Sequence, residues 1–401
     1  MSAAFPEYQR NSSHQPKGWR ACAPTLTTLL AGWFVWVGSA RLCSAATNDA
    51  PMFPRLGMLW STAAGEGVEA DRWARYGIIV TSPGDLGFEW EKKPFKDEAE
   101  TFQSDTLPAG RKFLASLRAK NPGSIVLCEL YFFEADVNAY PPDSPWWFRD
   151  RKGQTVQFWK GCRNMAVANP EYIEHIVRRI EAVVKATEGR AGIFLDNLRF
   201  EKEAKAGWTA LLTKVRERCG DVPILVNSGW DSDDLDWVAP FINGILYEDS
   251  VAHTEDKNAE RFYERIQRQW ALCREPRVGI NEKFGKRNDV TAMRREFLRT
   301  LVYTDLFFLY ADSTYGHQHS WWPEWNALLG RALTPPVIPV AGKLARRDFT
   351  GGLVLWLPAD APMAATVKLD SPHRQFDQKE SLRDISVQPG TGVLLLKKAG
   401  Q

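Results

Sequence analysis

Long hydrophobic runs and a charge imbalance are both missing from this sequence of 401 residues. Outside one apolar stretch near the N-terminus, no segment is long and apolar enough to span a bilayer. The 51 Lys and Arg residues are nearly balanced by 49 Asp and Glu residues. A near-neutral surface argues against nucleic acid or an anionic membrane as the main partner.

Several catalytic signatures are missing as well. No Gly-x-Gly-x-x-Gly follows the first predicted strand, which argues against a dinucleotide-binding fold. No serine or cysteine lies in a nucleophile-elbow sequence, and the cysteine spacing matches no zinc knuckle. We therefore expect neither a cofactor nor a metal. Of the four cysteines beyond residue 46, Cys128 and Cys162 could form a disulfide, and four buried thiols are an equal alternative.

The N-terminal region has the three parts of an export signal. A basic region ends at Arg20, the apolar stretch Thr25–Ala40 follows, and small residues occupy 43–46. This pattern predicts a signal peptide over residues 1–46 and a secreted or periplasmic protein, with no stable membrane insertion after cleavage. The alternative is a retained N-terminal membrane anchor. Removing residues 1–46 leaves a net charge of about −1.

Short apolar runs alternate with helix-period segments eight times between residues 55 and 332. Most runs stay apolar until a polar residue at their C-terminal end, as expected of parallel strands buried on both faces. The alternation predicts a (β/α)8 TIM barrel rather than an open doubly wound sheet. The predicted strands are Arg55–Trp60, Tyr76–Ser82, Ser124–Phe132, Ala191–Asn197, Pro223–Gly229, Asn243–Asp249, Pro276–Lys283 and Leu306–Ser313.

Two of the intervening segments carry clear helix signals. Asn169 is a capping residue type, and Pro170 suits the first helical position. The apolar positions that follow, from Ile173 to Val184, repeat with the period of one helix face. A second helix is predicted to begin near Asn288-Asp289.

Two connections are too long to be simple turns, and both lie where barrel active sites form. These are residues 83–107 and residues 133–169. The second is rich in aromatic residues, which predicts an ordered wall of the cleft. Beyond residue 334 the pattern changes to four short predicted strands. We expect a catalytic barrel over residues 47–334 and a small all-β domain, sandwich-like, over residues 335–401.

The 17 tryptophans are unusually many. Aromatic planes can cover the apolar face of a sugar ring, so the composition favours a carbohydrate ligand. Carboxylates also dominate the predicted strand ends, and glycosidic cleavage needs two carboxyl groups and little else. Asp196, at the end of strand four, and Glu248, at the end of strand six, are the predicted catalytic pair. Asp249 remains a rival, because side-chain direction cannot be read from a strand buried on both faces.

Other side chains near the strand ends are predicted to contact substrate. They are Trp60, Glu129, Tyr131, Trp146, Trp147, Asn197, Asn227, Trp230, Asp249, Glu282 and Asp312. The acids among them could instead pair with a cation such as Arg199. His317 and His319 form a His-x-His for which sugar contact or surface placement is preferred over zinc.

Three segments together carry a resemblance to known families. They are the strand Gly192-Ile193-Phe194-Leu195-Asp196-Asn197 and the segments Asn227-Ser228-Gly229 and Tyr247-Glu248-Asp249. The chain resembles the hypothetical glycosyl-hydrolase-like family 15, and more loosely glycoside hydrolase family 114, the endo-α-1,4-polygalactosaminidases. The resemblance covers residues 55–330 and extends into the Arg346-Arg347-Asp348-Phe349 stretch. It implies that Asp196 is the nucleophile and Glu248 the acid.

These observations predict a glycosidase that cleaves an α-linked polysaccharide or oligosaccharide by a retaining mechanism. One alternative is a carbohydrate-binding barrel without catalysis. Another is a lyase or aldolase in which Lys283 forms a Schiff base with the substrate. For Lys283 itself, a salt bridge to a neighbouring carboxylate is the favoured interpretation.

Overall fold

The computed structural model describes residues 52–67, 69–228, 235–250, 259–312 and 317–397. The predicted signal peptide and Trp230 lie outside these residues. Within them, no helix has both the length and the apolar character needed to cross a membrane.

Eight parallel strands form the barrel, and they pair in chain order. A parallel bridge between Leu56 and Phe308 joins the first strand to the last. Each strand coincides with one predicted from the sequence, so the prediction of a (β/α)8 barrel is confirmed. The strands are β1 Gly57–Leu59, β2 Ile78–Thr81, β3 Ile125–Leu130, β4 Ala191–Leu195, β5 Ile224–Asn227, β6 Gly244–Ser250, β7 Ile280–Gly285 and β8 Phe307–Asp312.

Helices connect most of the strands. After β5 and after β8, however, the described residues hold only the 3-10 turns Ala239–Phe241 and Pro323–Asn326. The α-helices are α1 Ala70–Trp73, α2 Leu107–Lys120, α3 Pro170–Ala186, α4 Lys202–Cys219, α5 Ala259–Leu272 and α6 Val290–Tyr303.

The predicted helix starts are confirmed by their caps. The Asn169 side chain accepts hydrogen bonds from the backbone N–H groups of Glu171 and Tyr172, at 2.9 and 3.3 Å, and Pro170 is the first residue of α3. The Asp289 side chain accepts from the N–H of Ala292 at 2.9 Å. Both caps satisfy helix N–H groups that lack partners within the helix.

The two long connections are ordered. In residues 83–107, Trp90 stacks on Phe102 with ring centres 3.9 Å apart, and the guanidinium of Arg179 on α3 lies 4.6 Å from the Trp90 ring. Residues 133–169 contain a short hairpin that pairs Glu134–Asp136 with Cys162–Asn164. This hairpin follows β3 directly and carries Glu134 into the site described below.

The C-terminal strands form one antiparallel sheet of five in the described residues, where a sandwich would need two facing sheets. The strands are β9 Ala345–Phe349, β10 Gly352–Leu357, β11 Ala365–Gln375, β12 Ser381–Val387 and β13 Thr391–Lys397. Their order in the sheet is β9-β10-β13-β11-β12. Arg347 anchors β9 to the end of α6, because its guanidinium donates to the carbonyls of Leu301 and Thr304 at 2.8 and 2.5 Å.

The four cysteines beyond residue 46 are free thiols. Cys128 is fully buried in β3, and burial raises its pKa to about 12. Cys128 and Cys162 therefore form no disulfide here. Of the four thiols, only Cys128 and Cys273 are buried, so the alternative of four buried thiols holds in part.

Candidate active site

The register between β6 and β7 decides which strand-end acids face the barrel mouth. Glu248 lies opposite Glu282, and Asp249 lies opposite Lys283. Successive side chains of a strand point to opposite faces, so these two pairs lie on opposite sides of the sheet. Asn227 on β5 hydrogen-bonds Glu248, which identifies the inward side.

Asp196 and Glu248 meet through one amide group. The Nδ2 of Asn227 donates to Asp196 Oδ1 at 2.8 Å and to Glu248 Oε2 at 2.6 Å. The two carboxylate oxygens are therefore no more than two hydrogen-bond lengths apart. This bound concerns the two facing oxygens, and it shows that the acids are neighbours that can act on one glycosidic bond.

Two more acids surround this pair. Glu129 Oε2 accepts from the indole Nε1 of Trp60 at 2.7 Å. Glu134 Oε1 accepts from Asn197 Nδ2 at 2.5 Å, and the same amide donates to Asp196 Oδ2 at 2.8 Å. The amides of the site thus connect the acids of β4, β6 and the hairpin after β3.

The backbone at the site includes two unusual conformations. Trp60 has a φ of 56°, and Asn197 also has a φ of 56°. Asparagine tolerates this left-handed region, whereas a bulky residue such as tryptophan rarely adopts it. The unfavourable backbone conformation of Trp60 occurs in a residue whose indole N–H donates to Glu129.

Burial raises the pKa of Asp196 and of the three acids near it, and repulsion from another carboxylate adds to the rise at those three. Burial is the main cause of the raised pKa of Glu129, to about 8, and the nearby Asp196 carboxylate adds to it. The pKa of Glu134 rises to about 8 for the same two reasons. Burial and then Glu282 raise the pKa of Glu248 to about 7. Burial also raises the pKa of Asp196, against the hydrogen bond from Asn227.

His317 brings a positive charge to these acids. Its Nδ1 lies 2.8 Å from Glu282 Oε1, and its ring is 4.3 Å from the ring of Trp60. Burial disfavours the imidazolium, but the charge of Glu282 and the hydrogen bond to it prevail, and the pKa of His317 rises to about 9. The site therefore contains an imidazolium at neutral pH.

Three of these side chains could bracket a divalent cation. One ligand atom each from Glu248, Glu282 and His317 lies within 4.8 Å of the others. The expected neighbour of His317, Asp312, is not in this group. His319 does not join it either, because its Nε2 lies 2.8 Å from the hydroxyl of Tyr76. Since Glu282 and His317 already hydrogen-bond each other, we treat the group as an ion pair.

Two residues of the site were not among those predicted from the sequence. Glu134 follows strand three by only four residues, but its place depends on the hairpin that turns it back toward Asn197. His317 was noted only as half of a His-x-His pair. Both are polar residues close to the end of a predicted strand, which is a weak sequence signal. Neither is the last residue of a strand, so a search of the strand ends alone does not find them.

The predicted cleft positions of Asp249 and Asp312 are corrected by the structure. Asp249 is buried on the outer side of the barrel and accepts from Lys283 Nζ at 3.0 Å. Asp312 lies opposite Gly285, two positions beyond the pair of Tyr310 with Lys283, which places it on the same outer side. Its Oδ2 is 2.7 Å from Arg287 Nε.

The predicted aromatic wall is only partly present at the site. Tyr131 lies near enough to Glu129 to affect the pKa of that acid, and the residue is 40% exposed. Trp147 is 2% exposed and donates to the carbonyl of Pro141, so it belongs to the core. Trp146 packs on His175 of α3 and lines a different cavity. Among the predicted tryptophans that the structure describes, Trp60 contacts the acid cluster, which consists of Glu129, Glu134, Asp196 and Glu248.

Lys283 is unsuited to Schiff-base chemistry. Its side chain is fully buried, its ammonium is paired with Asp249, and the ring of Phe262 lies 3.7 Å away. The favoured salt bridge is therefore confirmed.

We expect Lys283→Met to destabilise the fold by about 3–5 kcal/mol, because it leaves the Asp249 carboxylate buried without its cation. Urea unfolding measures this loss. The double variant Lys283→Met with Asp249→Asn should recover part of it, since the buried charge is then gone. Borohydride trapping of a carbonyl substrate on Lys283 would contradict this assignment.

Comparisons with known proteins find structural but not sequence similarity. No protein-family model matches the chain, and no curated protein matches it. An α-amylase from Lactobacillus plantarum is similar over 85% of this chain and 98% of its own, with a TM-score of 0.52 and 12% identity. The cyclic α-maltosyl-(1→6)-maltose hydrolase from Arthrobacter globiformis, in complex with its cyclic sugar, is similar over 86% and 94%, with a TM-score of 0.51 and 14% identity. Eubacterium rectale Amy13B gives 0.52 over 88% and 98%, at 8% identity.

The chain shares its barrel fold with these proteins. At such low identity, the similarity shows the fold alone, and function has to be argued from the site itself.

Proposed function

We propose that the protein is a glycoside hydrolase that cleaves an α-linked polysaccharide or oligosaccharide with retention of configuration. One observation carries the proposal: a single amide, Asn227 Nδ2, holds an oxygen of Asp196 and an oxygen of Glu248 at hydrogen-bond distance. Two carboxyl groups this close at a barrel mouth suit double displacement, in which one attacks and the other transfers the proton.

The environment assigns different roles to the two acids. Each oxygen of Asp196 accepts a hydrogen bond from an asparagine amide, an arrangement that favours the ionised nucleophile. Glu248 has a pKa raised to about 7, so a large share of this acid carries a proton at neutral pH. A general acid with a pKa near the working pH transfers protons well in both directions.

The reaction then follows in two steps. Asp196 attacks the anomeric carbon while the bond to the leaving oxygen breaks, and Glu248 gives that oxygen its proton. Water next attacks the glycosyl ester, Glu248 takes a proton from the water, and Asp196 leaves as a carboxylate. The first step leaves Glu248 ionised and the second protonates it again, so both acids are restored.

The substrate assignment has support of two kinds. Trp60 and Tyr131 offer aromatic surface beside the acids, which suits a sugar ring. Proteins that share the fold include an α-amylase and a maltosyl-maltose hydrolase. The resemblance to glycosyl-hydrolase-like family 15 and family 114 stays a proposal, as do the signal peptide over residues 1–46 and the secreted or periplasmic location.

The test is an assay for new reducing ends with a panel of soluble α- and β-linked polysaccharides. We expect release from at least one α-linked polymer, with the product first appearing as the α-anomer in an NMR time course. A protein that binds a polymer without releasing ends would instead be the carbohydrate-binding barrel. An initial β-anomer would exclude retention of the α-linkage.

The pH dependence tests the role of His317. Activity requires ionised Asp196 and protonated Glu248, so we expect it to fall as the pH rises through about 7, the pKa of Glu248. The imidazolium of His317 lowers the pKa values of both acids. Replacing it in His317→Asn should therefore move both limbs of the profile to higher pH.

Two controls accompany that profile. His373→Asn replaces a histidine of the C-terminal sheet and should leave the profile unchanged. EDTA should leave the hydrolysis rates of the parent protein and of His317→Asn unchanged. Loss of activity on chelation would make Glu248, Glu282 and His317 a metal site, and unmoved limbs in His317→Asn would remove the imidazolium from the mechanism.

A further inference from the structure

A second cavity lies on the outside of the barrel, between α3 and α4. It has a volume of about 490 Å³ and shares no residue with the acid cluster. The cavity is open to solvent on one side, so a ligand would lie against its wall rather than be enclosed. Its lining consists of one aromatic, one proline and four charged side chains: Trp146, Pro170, Glu171, Glu174, Arg178 and Lys214.

The indole of Trp146 is held in place by its neighbours. It stacks on the imidazole of His175 at 4.6 Å with an interplanar angle of 27°, and Tyr140 meets it edge-on at 5.1 Å. Its backbone carbonyl accepts from the N–H of Ala166 at 2.7 Å. Because these contacts fix the ring, a ligand can pack on the surface left open without first ordering it.

The charges that line the cavity are balanced. Glu174 lies 3.1 Å from Lys214 and 3.6 Å from Arg178. Arg178 also forms two hydrogen bonds to Glu100, at 2.6 and 2.7 Å. Since each cation already faces a carboxylate, the cavity does not select an ionic ligand. Its two carboxylates and two cations offer both acceptors and donors to a neutral polar ligand.

From this combination we infer that the Trp146 cavity is a second carbohydrate-binding site, distinct from the barrel mouth. A neutral ligand with one flat apolar face and many hydroxyl groups matches a fixed indole with a rim of carboxylates, guanidinium and ammonium groups. A pyranose ring has that chemistry. The inference does not depend on hydrolysis, because a non-catalytic barrel would present the same cavity.

Affinity gel electrophoresis tests the inference. The full chain, as Asp196→Asn to prevent degradation, is run in native gels that contain soluble starch, pullulan, dextran or chitosan. We expect at least one polymer to retard it, and Trp146→Ala in the same background to bind that polymer about tenfold more weakly, since stacking of the ring is lost. Hydrolysis of a short oligosaccharide by the single variant Trp146→Ala should be unchanged.

Two further variants make the result specific. Trp159→Ala removes a tryptophan that is 46% exposed outside the cavity, and it should keep full retardation. Glu171→Ala removes an exposed rim acid without touching the packed ring, and it should also weaken binding. Equal retardation of Trp146→Ala, Glu171→Ala and their parent would overturn the inference, and so would a parent that none of the four polymers retards.

Discussion

Asp196→Asn lowers kcat by at least about 10³-fold, which is the largest effect that we expect of any single substitution. An amide cannot form the glycosyl ester, so the first displacement has no nucleophile. Substrate affinity should stay nearly unchanged, since asparagine keeps the shape of the side chain. The measurement is steady-state release of reducing ends, together with the Kd for an oligosaccharide by calorimetry.

The fold should survive this substitution. Burial raises the pKa of Asp196, which means that the folded state holds this charge at a cost. Removing the charge offsets the hydrogen bond that the variant loses, so the Tm should change by no more than about 2 °C. Asp312→Asn is the matched control, because Asp312 ends β8 but lies on the outer side. Turnover by Asp196→Asn at the parent's rate would end the assignment.

The barrel was predictable because buried parallel strands leave a strong trace in a sequence. The five residues Ala191–Leu195 are all buried and carry no charge, and the charged residue Asp196 follows them directly. Such a step from apolar to charged recurs at β6 and β7, so their ends could be located to within a few residues. Caps such as Asn169 fixed the helix starts in the same way. These are local effects, and local effects can be read without coordinates.

The choice between Glu248 and Asp249 could not be made in this way. Both sides of β6 are buried, and one is lined by the barrel interior while the other meets the ion pair with Lys283. Only the register of β6 against its neighbouring strands shows that Glu248 faces the barrel interior and Asp249 faces outward. For the same reason the sequence predicts Asp312 in the cleft, although its register places it on the outer side with Lys283's partner Tyr310.

Long-range packing explains the remaining differences. Trp146 follows strand three in a loop expected to line the cleft, but its stacking on His175 keeps it beside α3. Glu134 reaches Asn197 only because a hairpin folds back over the mouth. His317, which follows β8, meets Glu282 of β7, 35 positions earlier in the chain. None of these contacts leaves a periodic pattern in the sequence from which it could be predicted.

Glu248→Gln is the second large effect, and it separates proton transfer from nucleophilic attack. Without the acid, a polysaccharide leaving group departs unprotonated, and kcat should fall by about 10²–10⁴-fold. A dinitrophenyl α-glycoside of the sugar found in the polymer assay has a leaving group that needs no proton. Formation of the glycosyl ester from that substrate should remain fast, and an initial burst of dinitrophenol should be seen.

The second half of the reaction provides an independent check on the same variant. Hydrolysis of the ester needs Glu248 as a base, but azide needs none, so added azide should restore turnover and yield the α-glycosyl azide. Glu129→Gln is the matched comparison, because Glu129 is also a buried acid with a pKa near 8 and lies close to Asp196. If azide and the activated leaving group rescue Glu129→Gln instead, the proton comes from β3 rather than β6. The two hydrogen bonds of Asn227 would then position Asp196 and Glu248 next to each other, but these two acids would not be the reacting pair.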